Sequence, residues 1–577
     1  MSFDVVIRGG TVIDGTGMAG FRADVGIQAG RVAKIGRIGE CGRQDIDAEG
    51  HIVTPGFIDG HTHMDAQIHW DPLGTCSSWN GVTSVVMGNC GFTLAPSSAD
   101  KAPLVIRNLE RAEDISPAAM KAGITWSWET FPEYMNALEG LPMGINYATY
   151  VGHSALRTWA MGERAFEQTA SHEDLERMRG ELRAAMQAGA VGLSTSRSMH
   201  HETSDNRQVA SRLASWDEVR SLVGTIGEMG GGLFEIAQEE AGRDADPVAR
   251  AEYHNRLLEL AVESGATLTS GLMPTAHVRE AWEDQLKLLD RTAARGGRMF
   301  GQSHSRGITI LTSFLTHFPF DKLAEWKEVR SKPLEEQKRL LRDPQVRQRL
   351  VHAAHHGDYG RAIGAEARKP NYRQMRPFFD SVKPNPSVAE LAEQRGVDPV
   401  ELIIDLSLER DLELFFVQPV GKTDPEDVLS VMRHPRCVMT FSDSGAHVSQ
   451  ISDCSIHAYL LAYWTREKQA FTLEEAVRMI TLAPARAFGF RGRGLLREGM
   501  VADLNVIDFA RFKPEVPELV HDLPSGARRL IQRCAGIKAT LVAGEVLLRD
   551  GAHTGALPGR LLRGPLARDA FAQRAVA

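Results

Sequence analysis

Two hydrophobic rhythms divide the chain. Through its middle, short apolar runs alternate with longer stretches whose apolar residues recur every three or four positions, the signatures of buried strands and one-sided helices. Eight strands are predicted, at 51–63, 84–90, 146–153, 191–196, 233–237, 267–273, 298–305 and 437–443. A representative helix covers 173–188. Leu175, Met178, Leu182 and Met186 form its apolar face, and Ser171 with Asp174 forms a capping pair at its start. Strands that alternate with helices predict a parallel α/β array, a TIM-like (β/α)8 barrel, with functional groups at the carboxyl ends of its strands. The two ends of the chain read differently. Strand-like segments with turn glycines occupy 5–7, 11–13, 24–27 and 32–35, and again 494–508 and 539–547. Neither set is long enough to stand alone, so the two are predicted to pair into one small β-sandwich beside the barrel.

From 306 to 386 the alternation breaks down. A charged amphipathic helix is predicted at 332–342, and His352, His355 and His356 follow it. An insertion this long in a barrel is usually functional, often a lid. Adjacent helical side chains point about 100° apart, so His355 and His356 read as a solvated helix face and not as a ligand pair. The expected organisation is therefore 1–54 and 491–555 for the β-unit, 55–490 for the barrel with its insertion, and 556–577 as a tail.

Composition narrows the function classes. The 577 residues are 43% hydrophobic and 24% charged, ordinary for a globular protein, and the net charge of −8 argues against a nucleic-acid or anionic-membrane partner. No apolar run reaches the length of a membrane helix. Six scattered cysteines without a CxxC pair, and no leader pattern at the start, predict reduced thiols and a cytoplasmic location. A homo-oligomer is compatible with all of this.

The candidate chemistry begins at His61 and His63. Side chains alternate along a strand, so two histidines one residue apart point the same way and can hold one metal ion. Asp443 ends the apolar strand at 437–441; a carboxylate there can bind a metal and move a proton, or merely cap the following turn. Cys90, at the end of its own strand, is a potential zinc ligand, although a lone strand-end cysteine is more often structural. His153 and Arg157 after the third strand read as substrate-binding, outer-shell or structural; His447 and, more weakly, His304 share that reading. His200 and His201 read as loop residues. Amide hydrolysis at neutral pH needs an activated water and a polarised carbonyl, and a divalent metal supplies both.

The motif Pro55-Gly56-Phe57-Ile58-Asp59-Gly60-His61-Thr62-His63-Met64-Asp65 resembles the first barrel strand of the amidohydrolase superfamily. The chain is most similar to its D-aminoacylase (N-acyl-D-amino-acid deacylase) branch, through 87–91 (Met-Gly-Asn-Cys-Gly), 151–157 (Val-Gly-His-Ser-Ala-Leu-Arg), 192–195 (Gly-Leu-Ser-Thr) and Ser442-Asp443. The resemblance extends from about Asp4 to Asp550 and is patchy between the fifth and eighth strands. It implies a metal-centred (β/α)8 barrel with a flanking β-unit, zinc as cofactor, Cys90 as a ligand and Asp443 as the catalytic acid–base. One zinc ion on His61, His63, Cys90 and Asp443 is expected, and a second is left open.

The sequence also departs from that branch. Its histidines at the ends of strands five and six are missing: 232–239 reads Gly-Leu-Phe-Glu-Ile-Ala-Gln-Glu, and 267–273 reads Thr-Leu-Thr-Ser-Gly-Leu-Met where the branch has Ser-His-His-Lys. Glu235, Glu239 or His304 are candidates to replace them. The cationic residues that grip a substrate carboxylate in that branch are not evident either, which points to a small N-acyl amide without an α-carboxylate. Three alternatives remain. One is an N-acyl-D-amino-acid deacylase proper. Another is a non-catalytic barrel scaffold. The third, a dihydropyrimidinase-like hydrolase, is disfavoured because 190–196 contains no lysine to be carboxylated.

Overall fold

In the computed structural model, which describes residues 3–274, 278–363, 366–421 and 424–564, all eight predicted strand positions are strands, joined by parallel pairing. Phe57–Asp59 pairs with Val82–Met87, which pairs with Asn146–Thr149. Val151–Gly152 continues the third position and leads through Gly192–Ser196, Leu233–Ala237, Thr267–Gly271 and Arg298–Ser303 to Cys437–Met439. Phe441–Ser444 then pairs with His61–Thr62. Gly60 and Thr440 interrupt the first and eighth positions side by side, and the Gly60 N–H donates to Thr440 Oγ1. A Cβ at Gly60 would lie 2.1 Å from the Phe488 ring, so only glycine fits there. The helix expected at 173–188 is His172–Ala188, with Ser171 and Asp174 in a reciprocal capping box.

The segment read as one strand at 51–63 divides among three hydrogen-bonded sheets. Ile52–Pro55 pairs antiparallel with Leu504–Ile507, and the parallel array begins only after Gly56. Hydrogen bonding gathers nine of the terminal strands into one sheet, with Ile52–Pro55 and Leu504–Ile507 joining the two ends of the chain; two short hairpin pairs, Lys513–Pro514 with Cys534–Ala535 and Glu518–Val520 with Arg529–Ile531, stand apart from it. Val5, Ile7, Val25, Val53, Leu504 and Leu541 share its core.

The insertion runs past residue 386. It contains the helices Ala324–Arg330, Leu334–Arg342, Pro344–His356, Val388–Arg395 and Pro399–Glu409, and a three-stranded sheet of Thr309–Thr312, Phe416–Pro419 and Arg376–Pro377. It buries its own apolar cluster around Phe318, Phe320, Trp326 and Ile403. His355 lies in the last turn of Pro344–His356, 2.7 Å from Asp398, on an exposed face as expected. No helix among the described residues is long and apolar enough to cross a membrane.

Candidate metal centre

His61 and His63 leave the first strand on the same side, their ring centroids 5.4 Å apart. Gln302, on the seventh strand, lies with Oε1 2.6 Å from His61 Nδ1. A carbonyl oxygen only accepts, so the proton sits on Nδ1 and Nε2 is left as a lone-pair donor. Cys90 Sγ is 3.5 Å from that Nε2. The thiol gets there through a tight turn: Gly88, Cys90 and Gly91 all have φ between 54° and 80°, and Asn89 Nδ2 ties the turn to the carbonyls of Thr62 and Val86. Asp443, from the eighth strand, completes the group, its Oδ1 3.5 Å from His61 Nε2 and 3.1 Å from His63 Nε2. Asp443 also has positive φ (60°), as does His447 (47°). Non-glycine residues held there carry strain that the surrounding structure must offset, a pattern concentrated at functional sites.

The four residues expected as ligands are thus together. One ligand atom each from His61, His63 and Cys90 lie within 4.8 Å of one another, all buried. Burial pushes His61 down to about 3. For His63 burial acts in the same direction, but Glu113, Asp443 and Asp65 outweigh it and raise it to about 9. Burial would raise Asp443; His63, His447 and His61 outweigh it and hold the carboxyl well below the ordinary range. Burial raises Glu235 to about 8 and both Asp59 and Asp65 to about 7, and it raises the Cys90 thiol with help from Glu235, Asp443 and Glu113. Three acids, Glu113, Glu235 and Asp443, line the cavity together with His61 and His63. His63 Nδ1, Glu113 Oε2 and Glu235 Oε1 are buried without a hydrogen-bond partner. Imidazole, thiolate and carboxylate donors around orphaned polar atoms fit a divalent cation, which offsets the cost of burying the acids.

The cavity over this group measures about 210 Å³. His447 lines it, with Nε2 3.7 Å from Asp443 Oδ2. His200 and His201, read as loop residues, line it too. Met273 and Pro274 lie on one wall, and Gly307, Ile308 and Val420, at the two roots of the insertion, on another. Arg243, which the sequence reading did not single out, is the one Lys or Arg among the described lining residues, and its side chain makes no ion pair among the described residues. Glu113 was also missed. It is 1% exposed, and its Oε1 lies 3.7 Å from His63 Nδ1. No local pattern marks it, because it follows the helix Ala102–Leu109 inside a charged run.

Three residues expected to bind substrate do not reach the cavity. His153 and Arg157 are wholly buried against Glu218 of the helix Trp216–Glu228. His153 Nε2 donates to Glu218 at 2.9 Å, and Arg157 Nη1 reaches both carboxylate oxygens. Thr195 Oγ1 lies 2.9 Å from His153 Nδ1, so both ring nitrogens are engaged. His304 accepts the Arg306 N–H at 3.0 Å and has Asp453 Oδ2 3.6 Å from its other nitrogen. In each case a buried acid distant in sequence captures the side chain.

A profile of the amidohydrolase family matches residues 44–548. D-aminoacylase from Alcaligenes xylosoxydans xylosoxydans is 27% identical over 574 residues, covering 97% of each chain. N-acyl-D-glutamate deacylase from the same organism is 28% identical over 579 residues, covering 97% of this chain and 96% of the relative. Among solved structures, N-acyl-D-glutamate deacylase from Bordetella bronchiseptica, complexed with zinc and a phosphonate inhibitor, is 25% identical with a TM-score of 0.63, covering 98% of this chain and 100% of that one. A D-aminoacylase described with a binuclear metal centre, 24% identical with a TM-score of 0.65 over 97% of this chain and 100% of that one, shares the fold.

Proposed function

The chain belongs to the amidohydrolase family, and from that premise we propose that it is a metal-dependent deacylase that hydrolyses the C–N bond of a small N-acyl amide at His61, His63, Cys90 and Asp443. The observation that carries this reading is the meeting of those four side chains at the carboxyl ends of the first, second and eighth strands, over one cavity. In this reading the eight parallel positions close into a (β/α)8 barrel over 55–490, with the insertion starting at 306 and the terminal β-unit formed by 1–54 and 491–555. A cytoplasmic location is part of it, supported by six cysteines that are all unpaired thiols.

His61, His63, Cys90 and Asp443 would hold one zinc ion, which when bound supplies Lewis acidity to the scissile carbonyl and acidifies water. Asp443, kept ionised by its imidazole neighbours, takes the proton of the attacking water and delivers it to the leaving nitrogen. Gln302 holds His61 in the tautomer that presents Nε2. His447 flanks the second oxygen of Asp443. A screen of N-acyl amides, anilides and cyclic imides tests the reading. Turnover that disappears in Asp443→Asn supports it; no turnover by zinc-loaded protein on any of them favours the non-catalytic scaffold.

Arg243 favours a second reading, an N-acyl-D-amino-acid deacylase proper. A guanidinium without an ion-pair partner among the described residues, at the cavity, suits a substrate carboxylate. Under this reading Arg243→Met raises KM for carboxylated N-acyl substrates and leaves KM for uncharged amides unchanged. Equal effects on both classes contradict it.

A further inference from the structure

The ligand set of His61, His63, Cys90 and Asp443 leaves a buried acid beside it without a role. Of the three residues considered as additional donors, two are engaged elsewhere. Glu239 Oε1 is 2.8 Å from Arg197 Nη2 and accepts from Trp216 Nε1 at 3.0 Å. His304 faces Asp453 and the Arg306 backbone, outside the cavity. Glu235 lines the cavity with the four, on the fifth strand Leu233–Ala237.

The Glu235 side chain is fully buried. Its Oε2 accepts the Cys90 N–H at 2.7 Å, which seats the carboxyl beside the thiol-bearing turn. Its Oε1 has no hydrogen-bond partner, although buried. A carboxylate anchored by one oxygen and left bare at the other is costly in a dry pocket unless a cation meets the bare oxygen. The neighbours within the cavity are themselves metal-ligating in type, two imidazoles, a thiol and the Asp443 carboxylate. Glu113, the other orphaned acid, is placed differently: its Oε1 faces the Nδ1 side of His63, where a carboxylate orients a ligand ring.

We infer that Glu235 Oε1 is a further ligand of the divalent ion held by His61, His63 and Cys90, so that the fifth strand contributes a carboxylate to the centre. The inference rests on the metal-dependent reading above and extends it. Through the Cys90 N–H, the same side chain fixes the thiol turn with Oε2 while it donates with Oε1. A ligand so braced loses little freedom on binding.

Metal affinity and cobalt spectroscopy test this without recourse to activity. Metal-free protein is titrated with Zn2+ against a competing chelator, and a Co2+-loaded sample is followed in the visible region. Glu235→Gln preserves size and the acceptor for Cys90 N–H but removes the anionic donor. It is expected to lower metal affinity by more than the roughly 10–100-fold that loss of an outer-shell partner costs, and to change the Co2+ bands. Glu235→His, which offers an imidazole at the same strand position, is expected to recover affinity relative to Gln. Matching circular dichroism and melting of the metal-free proteins show that the fold is intact. If Gln fails that check, Glu235→Asp replaces it: the shorter chain reaches the turn or the ion but not both, and affinity again falls. A Glu235→Gln or Glu235→Asp protein with wild-type affinity and an unchanged Co2+ spectrum overturns the inference alone. A wild-type chain that binds no divalent metal overturns it together with the reading beneath it.

Discussion

Glu218→Gln removes a negative charge from a place where the protein buries a positive one. Glu218 is 3% exposed and Arg157 is fully buried, with Nη1 on both oxygens of the carboxylate and Nη2 on the Gln168 carbonyl. Burial would raise the pKa of Glu218, but His153 and Arg157 outweigh it and bring it down to about 2. Burial also lowers His153 despite Glu218, and the Glu218 carboxylate faces the Arg157 guanidinium directly. From 4.5 to 2 is about 2.5 units, or about 3 kcal/mol. Breaking a buried ion pair on one side costs about 3–5 kcal/mol, the same range. With an unfolding entropy of about 2.1 cal/mol/K per residue over 577 residues, that lowers the melting temperature by about 2–4 °C if the chain melts as a unit, and by more if the barrel melts alone. Because the folded pKa is depressed, the stabilisation is complete above about pH 4.5 and is lost as pH falls toward 2. The wild type therefore loses this contribution through that window, the Gln variant never has it, and their melting temperatures converge. Calorimetry from pH 7 to pH 3 measures this. Equal melting temperatures at pH 7, or a gap that stays constant down to pH 3, would refute the reasoning. Metal content and KM are expected to be unchanged, because His153, Arg157 and Glu218 do not line the cavity.

Cys90→Ala is expected to lower both metal content and activity while folding normally, since loss of a small buried group costs only about 1 kcal/mol of packing; full metal and full turnover would make the thiol structural. Gln302→Leu removes the partner of His61 Nδ1 and is expected to weaken metal binding by about 10–100-fold, measured by chelator competition; unchanged affinity would show that the ring is oriented by packing against Phe441 alone.

The parts of the site that could be read from the sequence are those set by local geometry. His61 and His63 share a face because strand side chains alternate. Cys90 and Asp443 could be assigned because each ends an apolar run and carries a recognisable motif. Gln302, Glu113 and Arg243 could not, since Gln302 reaches His61, and Glu113 and Arg243 reach the cavity, from elements far away in the chain, and none has a distinguishing neighbour in sequence. The same non-locality misled the reading of His153, Arg157 and His304: a histidine near a strand end looks available until a distant acid is seen to hold it. The break in rhythm at 306–386 is legible in the sequence; that later helices share the apolar cluster of that stretch is not. The helices Val388–Arg395 and Pro399–Glu409 have the periodicity of barrel helices, and only their burial around Trp326 assigns them to a separate core.

The most direct test of the central claim is a titration of metal-free protein with Zn2+, recording bound metal and hydrolysis of an N-acyl amide on the same samples. Activity is predicted to rise with bound zinc and level off at one equivalent, and Asp443→Asn to remain about 100-fold or more less active at every point. Hydrolysis that is independent of bound metal, or a zinc-saturated Asp443→Asn protein as active as wild type, would contradict it.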